Sequence, residues 1–193
     1  MRMNKLLYAV RVVTIPPVFA AALLLTMSAA RPGLLSAGQL LCGLLFLGVL
    51  PAAGYPLQRC IPYFKEKGRE GQRTLAMLMS AAGYLLGLCS ACLTRAPKEL
   101  HIIYLEYALC GLAVLAFNRG FHLRASGHAC GIAASVLLLA ALRLWWPAAV
   151  GAALVIPVGV ASVMSGRHTV GQILGGYAIA AACMAALACA FSL

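Results

Sequence analysis

Long apolar blocks alternate with short polar segments along the chain. About 20 apolar residues carry an α-helix across the hydrocarbon of a bilayer, and seven blocks approach that length: 12–30, 34–54, 75–93, 102–117, 129–146, 148–164 and 170–193. Two are short, and 102–117 is the weakest because it is brief and carries Glu106. The pattern predicts an all-α, polytopic transmembrane bundle of six or seven spans, folded as a single domain over residues 1–193. Pro16-Pro17 and Pro157 are expected to kink their helices. The small pairs Gly171…Gly175 and Ala181…Ala185 are expected to let neighbouring helices approach closely.

Composition agrees with that pattern and narrows the function classes. The chain is 63% hydrophobic and 10% charged, with a mean hydropathy of +0.94, far from the balance of a soluble domain. Fifteen Lys and Arg against four acids give a net charge of +11. The bases lie in the short segments between apolar blocks, which points to anionic membrane lipids and not to nucleic acid as partners. The acids are Glu66, Glu70, Glu99 and Glu106, and no aspartate is present, so any mechanism that requires one is excluded. Most of the eight cysteines fall inside apolar blocks, where cysteine behaves as a small hydrophobe. Cys89-x-x-Cys92 lacks the second CxxC or the histidines of a zinc site, so no metal is assigned and no cofactor is expected. Residues 1–11 are basic and lead into an apolar stretch, as a signal peptide would. Ser28-Ala29-Ala30-Arg31-Pro32 is a weak cleavage cue and more spans follow, so a retained first helix is expected.

Two polar islands interrupt the apolar pattern: Arg124-Ala125-Ser126-Gly127-His128, and Ser165-Gly166-Arg167-His168. Histidine and arginine are costly near hydrocarbon, so such islands are functional candidates. Each directly precedes an apolar block and so falls at a helix N-terminus, where free backbone N–H groups and the positive end of the dipole attract anions. Gly127 lets the backbone approach a ligand and Ser126 carries a hydroxyl, so a phosphate is the expected ligand. Two histidines at one phosphate suggest that one imidazole attacks phosphorus while the other protonates the departing oxygen, with arginines neutralising the equatorial charge and no metal required. Each histidine taken alone is equally an interfacial residue bonded to a nearby carbonyl.

A third polar segment reads Lys65-Glu66-Lys67-Gly68-Arg69-Glu70-Gly71-Gln72-Arg73. If it is helical, Lys65, Arg69 and Arg73 form one cationic stripe at i, i+4 and i+8; otherwise it is a solvated loop obeying the positive-inside rule. Two spans separate this segment from Ser126 and two more separate His128 from His168, so all three segments are expected at one face.

A basic stretch ending in arginine, then Ala125-Ser126-Gly127-His128, then a histidine 40 positions later at the mouth of the last helix, resembles the type-2 phosphatidic acid phosphatase and haloperoxidase superfamily, in a divergent bacterial membrane branch. The resemblance covers about Lys65 to Gly176. It implies a helical bundle that hydrolyses lipid phosphates or diphosphates through a phosphohistidine. By position, His168 takes the place of the nucleophile and His128 that of the general acid. Ser126 and Gly127 match the phosphate-binding pair, and Arg73 matches the arginine of the first motif, with Lys65, Lys67 or Arg69 as its partner cation. The chain departs from the pattern at Ala125 and Thr74, where the family has proline, at Ser162, where it has arginine, and at Gln172, where it has the aspartate that orients the nucleophile. Gln172 lies one turn beyond His168, so its carbonyl can accept the ring N–H, and Arg167 or Arg124 can supply the missing guanidinium.

The expected activity is therefore that of a metal-independent lipid phosphatase acting on phosphatidic acid, phosphatidylglycerol phosphate or polyprenyl diphosphate. The alternative is a weakened or inactive relative that binds or transports anionic lipids. Eleven cations fall on the face of the islands against Arg31, Arg95, Lys98 and Arg143 on the other, which predicts a multi-pass protein of the cell membrane with its site toward the cytoplasm.

Overall fold

The computed structural model describes residues 15–120 and 124–192, in which helix follows helix with no strand. The elements are α1 (Pro16–Ala30), α2 (Ala37–Leu57), α3 (Pro62–Glu66), α4 (Gly68–Leu93), α5 (Lys98–Gly120), α6 (Gly127–Ala141), α7 (Trp145–Met164) and α8 (Val170–Phe191). Every apolar block is found as a helix. Residues 12–14 of the first block, Leu193 and the cations Arg2, Lys5 and Arg11 lie outside the described residues.

Helix lengths depart from the expectation. Among the described residues, α2, α4, α5, α7 and α8 are the five helices long and apolar enough to cross a membrane. α1 and α6 have 15 residues each, about 22 Å of helix against a hydrocarbon core of about 30 Å. The block 129–146 is cut because Arg143 adopts a left-handed conformation (φ 57°) after Ala141, which hands the tryptophan pair to α7. The block 102–117 instead grows into the 23-residue α5. Glu106 does not weaken it, since the residue is fully buried in the bundle and accepts a hydrogen bond from the Cys110 thiol at 3.3 Å.

Local chemistry accounts for other departures. Pro16 and Pro17 open α1, where a missing amide hydrogen costs nothing, and so produce no kink. α2 carries a π-helical turn at Leu44–Val49 just before Pro51. Leu50 N–H reaches back to the Leu45 carbonyl there, a register that accommodates a proline inside a long helix. Ala181, Ala185 and Gly171 face outward. The close approach occurs at Gly176, where a Cβ would stand 2.5 Å from the Ser126 carbonyl oxygen and 3.0 Å from the Cys130 nitrogen.

α6 is the hub. It packs against α1, α5, α7 and most extensively α8, and a helix sheathed by others has no need of bilayer length. The outer surface is apolar, with Leu93 85%, Trp146 82% and Ile156 70% exposed. That distribution suits lipid and would drive aggregation in water.

At one end of the bundle, Arg31 donates from Nη2 to the Leu142 carbonyl at 2.6 Å and pairs with Glu99 at 3.6 Å, and Gln39 Nε2 donates to the Thr94 carbonyl at 3.2 Å. These contacts tie the end of α1 to the start of α5 and the end of α6, and the start of α2 to the end of α4. The polar segments between α2 and α4, α5 and α6, and α7 and α8 consequently lie at the other end.

Candidate functional site

His168 is held in a turn whose two sides are both specified by sequence. α7 ends in a Schellman arrangement: Gly166 takes φ +64°, the Gly166 N–H donates to the Val163 carbonyl at 2.9 Å, and the Arg167 N–H donates to the Ser162 carbonyl at 3.2 Å. α8 begins with a capping box in which the Gln172 N–H donates to Thr169 Oγ1 at 3.3 Å and the Thr169 N–H donates to Gln172 Oε1 at 3.4 Å. His168 sits between the two caps, half-buried, with Nδ1 3.1 Å from Gln172 Oε1.

That pair of contacts fixes a tautomer. The Thr169 amide can only donate, so the side-chain atom of Gln172 facing it is the carbonyl oxygen and not the nitrogen. The same oxygen can only accept, so His168 Nδ1 carries the proton in the neutral ring. The contact orients the ring against the first turn of α8.

The second island meets the first through the backbone. The Ser126 N–H donates to the Gln172 carbonyl at 2.8 Å, and Ala125 packs on Gly175. Ser126 is wholly buried and caps α6, its hydroxyl accepting the Ala129 N–H at 3.2 Å, while Gly127 is exposed at the open end of that helix. His128 follows half-buried, with Nε2 turned out of contact with solvent. Asn118, in the last turn of α5, holds both sides of Ala125: its Oδ1 accepts the Ala125 N–H at 2.6 Å and its Nδ2 donates to the Ala125 carbonyl at 3.2 Å. No motif pointed to Asn118, and an amide at the end of an apolar block is the only signal it leaves.

The cations are placed differently. The stripe through Lys65, Arg69 and Arg73 does not form, because the segment breaks at Lys67 and Gly68, where φ is +54°. Buried Gln58 locks that break by donating from Nε2 to the carbonyls of Phe64 at 2.9 Å and Gly68 at 3.3 Å. Lys67 is engaged with Tyr63, its ammonium donating to the phenol oxygen at 2.6 Å and lying 4.0 Å from the ring centre. Arg69 and Arg73 are exposed on α4, which packs on α2, α3 and α5; α5 is the element that reaches from α4 to α6 and α8. Arg124 is exposed beside Ala125 and Arg167 is half-buried beside His168. Ser162 is buried inside α7, only 4% exposed, where a serine fits and an arginine would not.

The two islands thus meet through the Ser126 N–H on the Gln172 carbonyl, with Gly127, Arg124, Arg167 and His168 carried on the segments that flank this contact. An exposed helix N-terminus beside arginines is a place where an anion can be held. Comparison with family models, with curated proteins and with solved structures finds no match to this chain.

Proposed function

We propose that the chain is a multi-span membrane lipid phosphatase, a divergent member of the type-2 phosphatidic acid phosphatase group, working through a phosphohistidine at His168. The observation that carries this reading is the Gln172 oxygen shared between the Thr169 N–H and His168 Nδ1, which orients the ring in the turn that the first island reaches through the Ser126 N–H on the Gln172 carbonyl. In the proposed cycle Nε2 attacks phosphorus, an N–P bond forms, and the P–O bond to the lipid breaks while His128 delivers a proton to the departing oxygen. Water then attacks the phosphohistidine and gives its proton to His128. Inorganic phosphate leaves and Nε2 recovers its lone pair. The Gly127 amide, Arg124 and Arg167 hold the phosphate oxygens, Ser126 keeps the end of α6 in place, and Arg69, Arg73 and Lys67 are the outer cations. Substrates in this scheme are phosphatidic acid, phosphatidylglycerol phosphate or a polyprenyl diphosphate, their tails lying between helices.

The test is phosphate release by purified protein in the presence of a chelator, with a brief exposure to radiolabelled substrate to trap the phosphoenzyme. Acid-labile, base-stable label on the wild type and none on His168→Ala is the expected result. Absence of both label and phosphate release overturns the reading.

A second reading, a relative that binds or moves anionic lipids without hydrolysing them, is favoured by one observation. Ser162 is buried where the resembling family places a guanidinium. Retention of anionic lipid without phosphate release selects it.

The proposed function places six or seven spans in the cell membrane, α6 counting as a short helix shielded by its neighbours and α1 as a short helix with Val18 and Leu25 on the outer surface, with the islands facing the cytoplasm. Labelling of Glu70→Cys by an impermeant reagent, in a background lacking the exposed cysteines, reads the side. Labelling from outside reverses the orientation.

A further inference from the structure

A cleft of about 450 Å³, lined by Arg59, Cys60, Pro62, Lys65 and Glu66, lies at the end of the bundle that carries the islands, and the proposed catalysis uses none of these residues. We propose that it docks the phosphodiester headgroup of a membrane phospholipid, with Arg59 and Lys65 taking the phosphate and Glu66 taking an ammonium. The inference rests on the membrane reading alone and not on the phosphatase reading.

Depth is the first support. α2 runs 21 residues from Ala37 to Leu57, about 31 Å of helix and so about one hydrocarbon thickness. The residues that follow emerge at the level of the lipid phosphates. Tyr63, 61% exposed and edge-on to Phe64, is the kind of aromatic found at that level.

Rigidity is the second. Gln58 is 8% exposed and bonds the carbonyls of Phe64 and Gly68. Gly71 lies so close to the Phe64 backbone that no side chain fits there. Residues 58–71 are consequently one folded unit, and the cleft exists before any ligand arrives, which lowers the entropic cost of binding.

Charge is the third. Lys67 is committed to Tyr63, whereas Arg59 and Lys65 make no ion pair among the described residues. Two cations beside one carboxylate match a phosphate with an ammonium, and the volume falls within the roughly 300–1,000 Å³ of small-molecule sites.

The experiment is native mass spectrometry of the purified full chain in detergent, titrated separately with phosphatidylethanolamine, phosphatidylglycerol and phosphatidylcholine, with and without millimolar inorganic phosphate. A cation near the membrane surface contributes about fivefold to anion affinity, so Arg59→Gln/Lys65→Gln should weaken phosphatidylethanolamine and phosphatidylglycerol about 25-fold. Glu66→Gln should weaken phosphatidylethanolamine several-fold and leave phosphatidylglycerol as tight or tighter. Arg119→Gln, an exposed cation at the same end but outside the cleft, should change neither. An equal loss in Arg119→Gln and the double variant overturns the site in favour of diffuse surface charge. Displacement of lipid by inorganic phosphate overturns a lipid site in favour of a soluble anion. Unaltered headgroup preference in Glu66→Gln removes the ammonium contact.

Discussion

The two ends of the bundle differ in which polar groups make their inward contacts. At the Arg31 end one cation is turned inward: the Arg31 guanidinium spans the Glu99 carboxylate and the Leu142 carbonyl, Gln39 bonds the Thr94 carbonyl, and three helix-to-helix turns are joined, while Arg95, Lys98 and Arg143 stay exposed. At the island end the inward contacts are made by neutral groups, Asn118 on Ala125, Gln58 on Phe64 and Gly68, and Ser126 on Gln172. There the cations Arg59, Lys65, Arg69, Arg73 and Arg124 stay exposed, and among the described residues they form no ion pair. An exposed charge without a partner contributes little to a fold. A fold already locked by amides and hydroxyls leaves its cations available to an external anion. A charged side chain thus braces the Arg31 end, whereas neutral groups brace the island end, where the proposed phosphate site lies.

Substitutions that exchange stability for chemistry test this contrast most directly. His168→Ala should remove phosphate release by on the order of 10³-fold or more, since loss of a nucleophile leaves only binding and electrostatic contributions, while thermal unfolding in detergent stays near wild type. Near-normal turnover would remove His168 as the nucleophile, and with it the phosphohistidine.

Arg31→Met is the converse. It keeps an apolar stem but strips a charged donor from the Leu142 carbonyl, a loss of about 2 kcal/mol for a partly buried charge-assisted bond; the half-open Glu99 pair adds little. The thermal midpoint should fall while turnover per folded molecule is unchanged. Lost turnover at full stability would show that the two ends are coupled and that the contrast is false.

Asn118→Ala probes the boundary between scaffold and site. Ala125 loses a partner on each side, so the island beginning at Ser126 loosens, and a drop in kcat of about tenfold is expected for about 1–2 kcal/mol of lost positioning. Asn118→Asp retains the acceptor for the Ala125 N–H and loses only the donor, so it should fall between wild type and alanine. Should both variants turn over normally once corrected for folded fraction, Asn118 serves the fold alone.

The helices were legible in the sequence because apolar blocks of bilayer length admit little else. Their boundaries were less so. Hydropathy saw no difference between Ala141 and Trp145, and the break there is a backbone event at Arg143. Hydropathy also could not show that Glu106 points into the bundle, since facing is decided by neighbours that the sequence does not name. In the site, the contact of Gln172 with His168 followed from helical spacing, and its second role was equally readable, because Thr169-x-x-Gln172 is a capping-box spacing, as is Ser36-x-x-Gln39. The cationic stripe failed on one residue. A helix through Lys65 and Arg73 was a fair reading of charge spacing, but Gly68 at positive φ with Gln58 beneath it turns the chain there. Gln58 and Asn118 were invisible because a single amide acquires meaning only from the carbonyls it reaches.

Gln172 gives the finest test, because it belongs to both regimes at once, capping α8 and orienting His168. Gln172→Glu preserves the reach of the side chain, so Thr169 and His168 Nδ1 keep their acceptor, and it adds a negative charge at the positive end of a helix, where such a charge is favourable. Gln172→Asp is one methylene shorter and should do the same less well. A carboxylate partner stabilises the imidazolium that develops as Nε2 attacks, so the rate should rise or hold, whereas Gln172→Leu should lower it by losing the orienting bond, worth about 1 kcal/mol net and hence several-fold. The sign of the pH effect follows from the same interaction: a carboxylate holds the ring proton more tightly than an amide does. Since the attacking ring must be neutral, the acidic limb of the pH–rate profile should move to higher pH in Gln172→Glu and stay in place in Gln172→Leu. If rate and profile are identical in all three variants, the Gln172 contact is capping alone and does not tune His168.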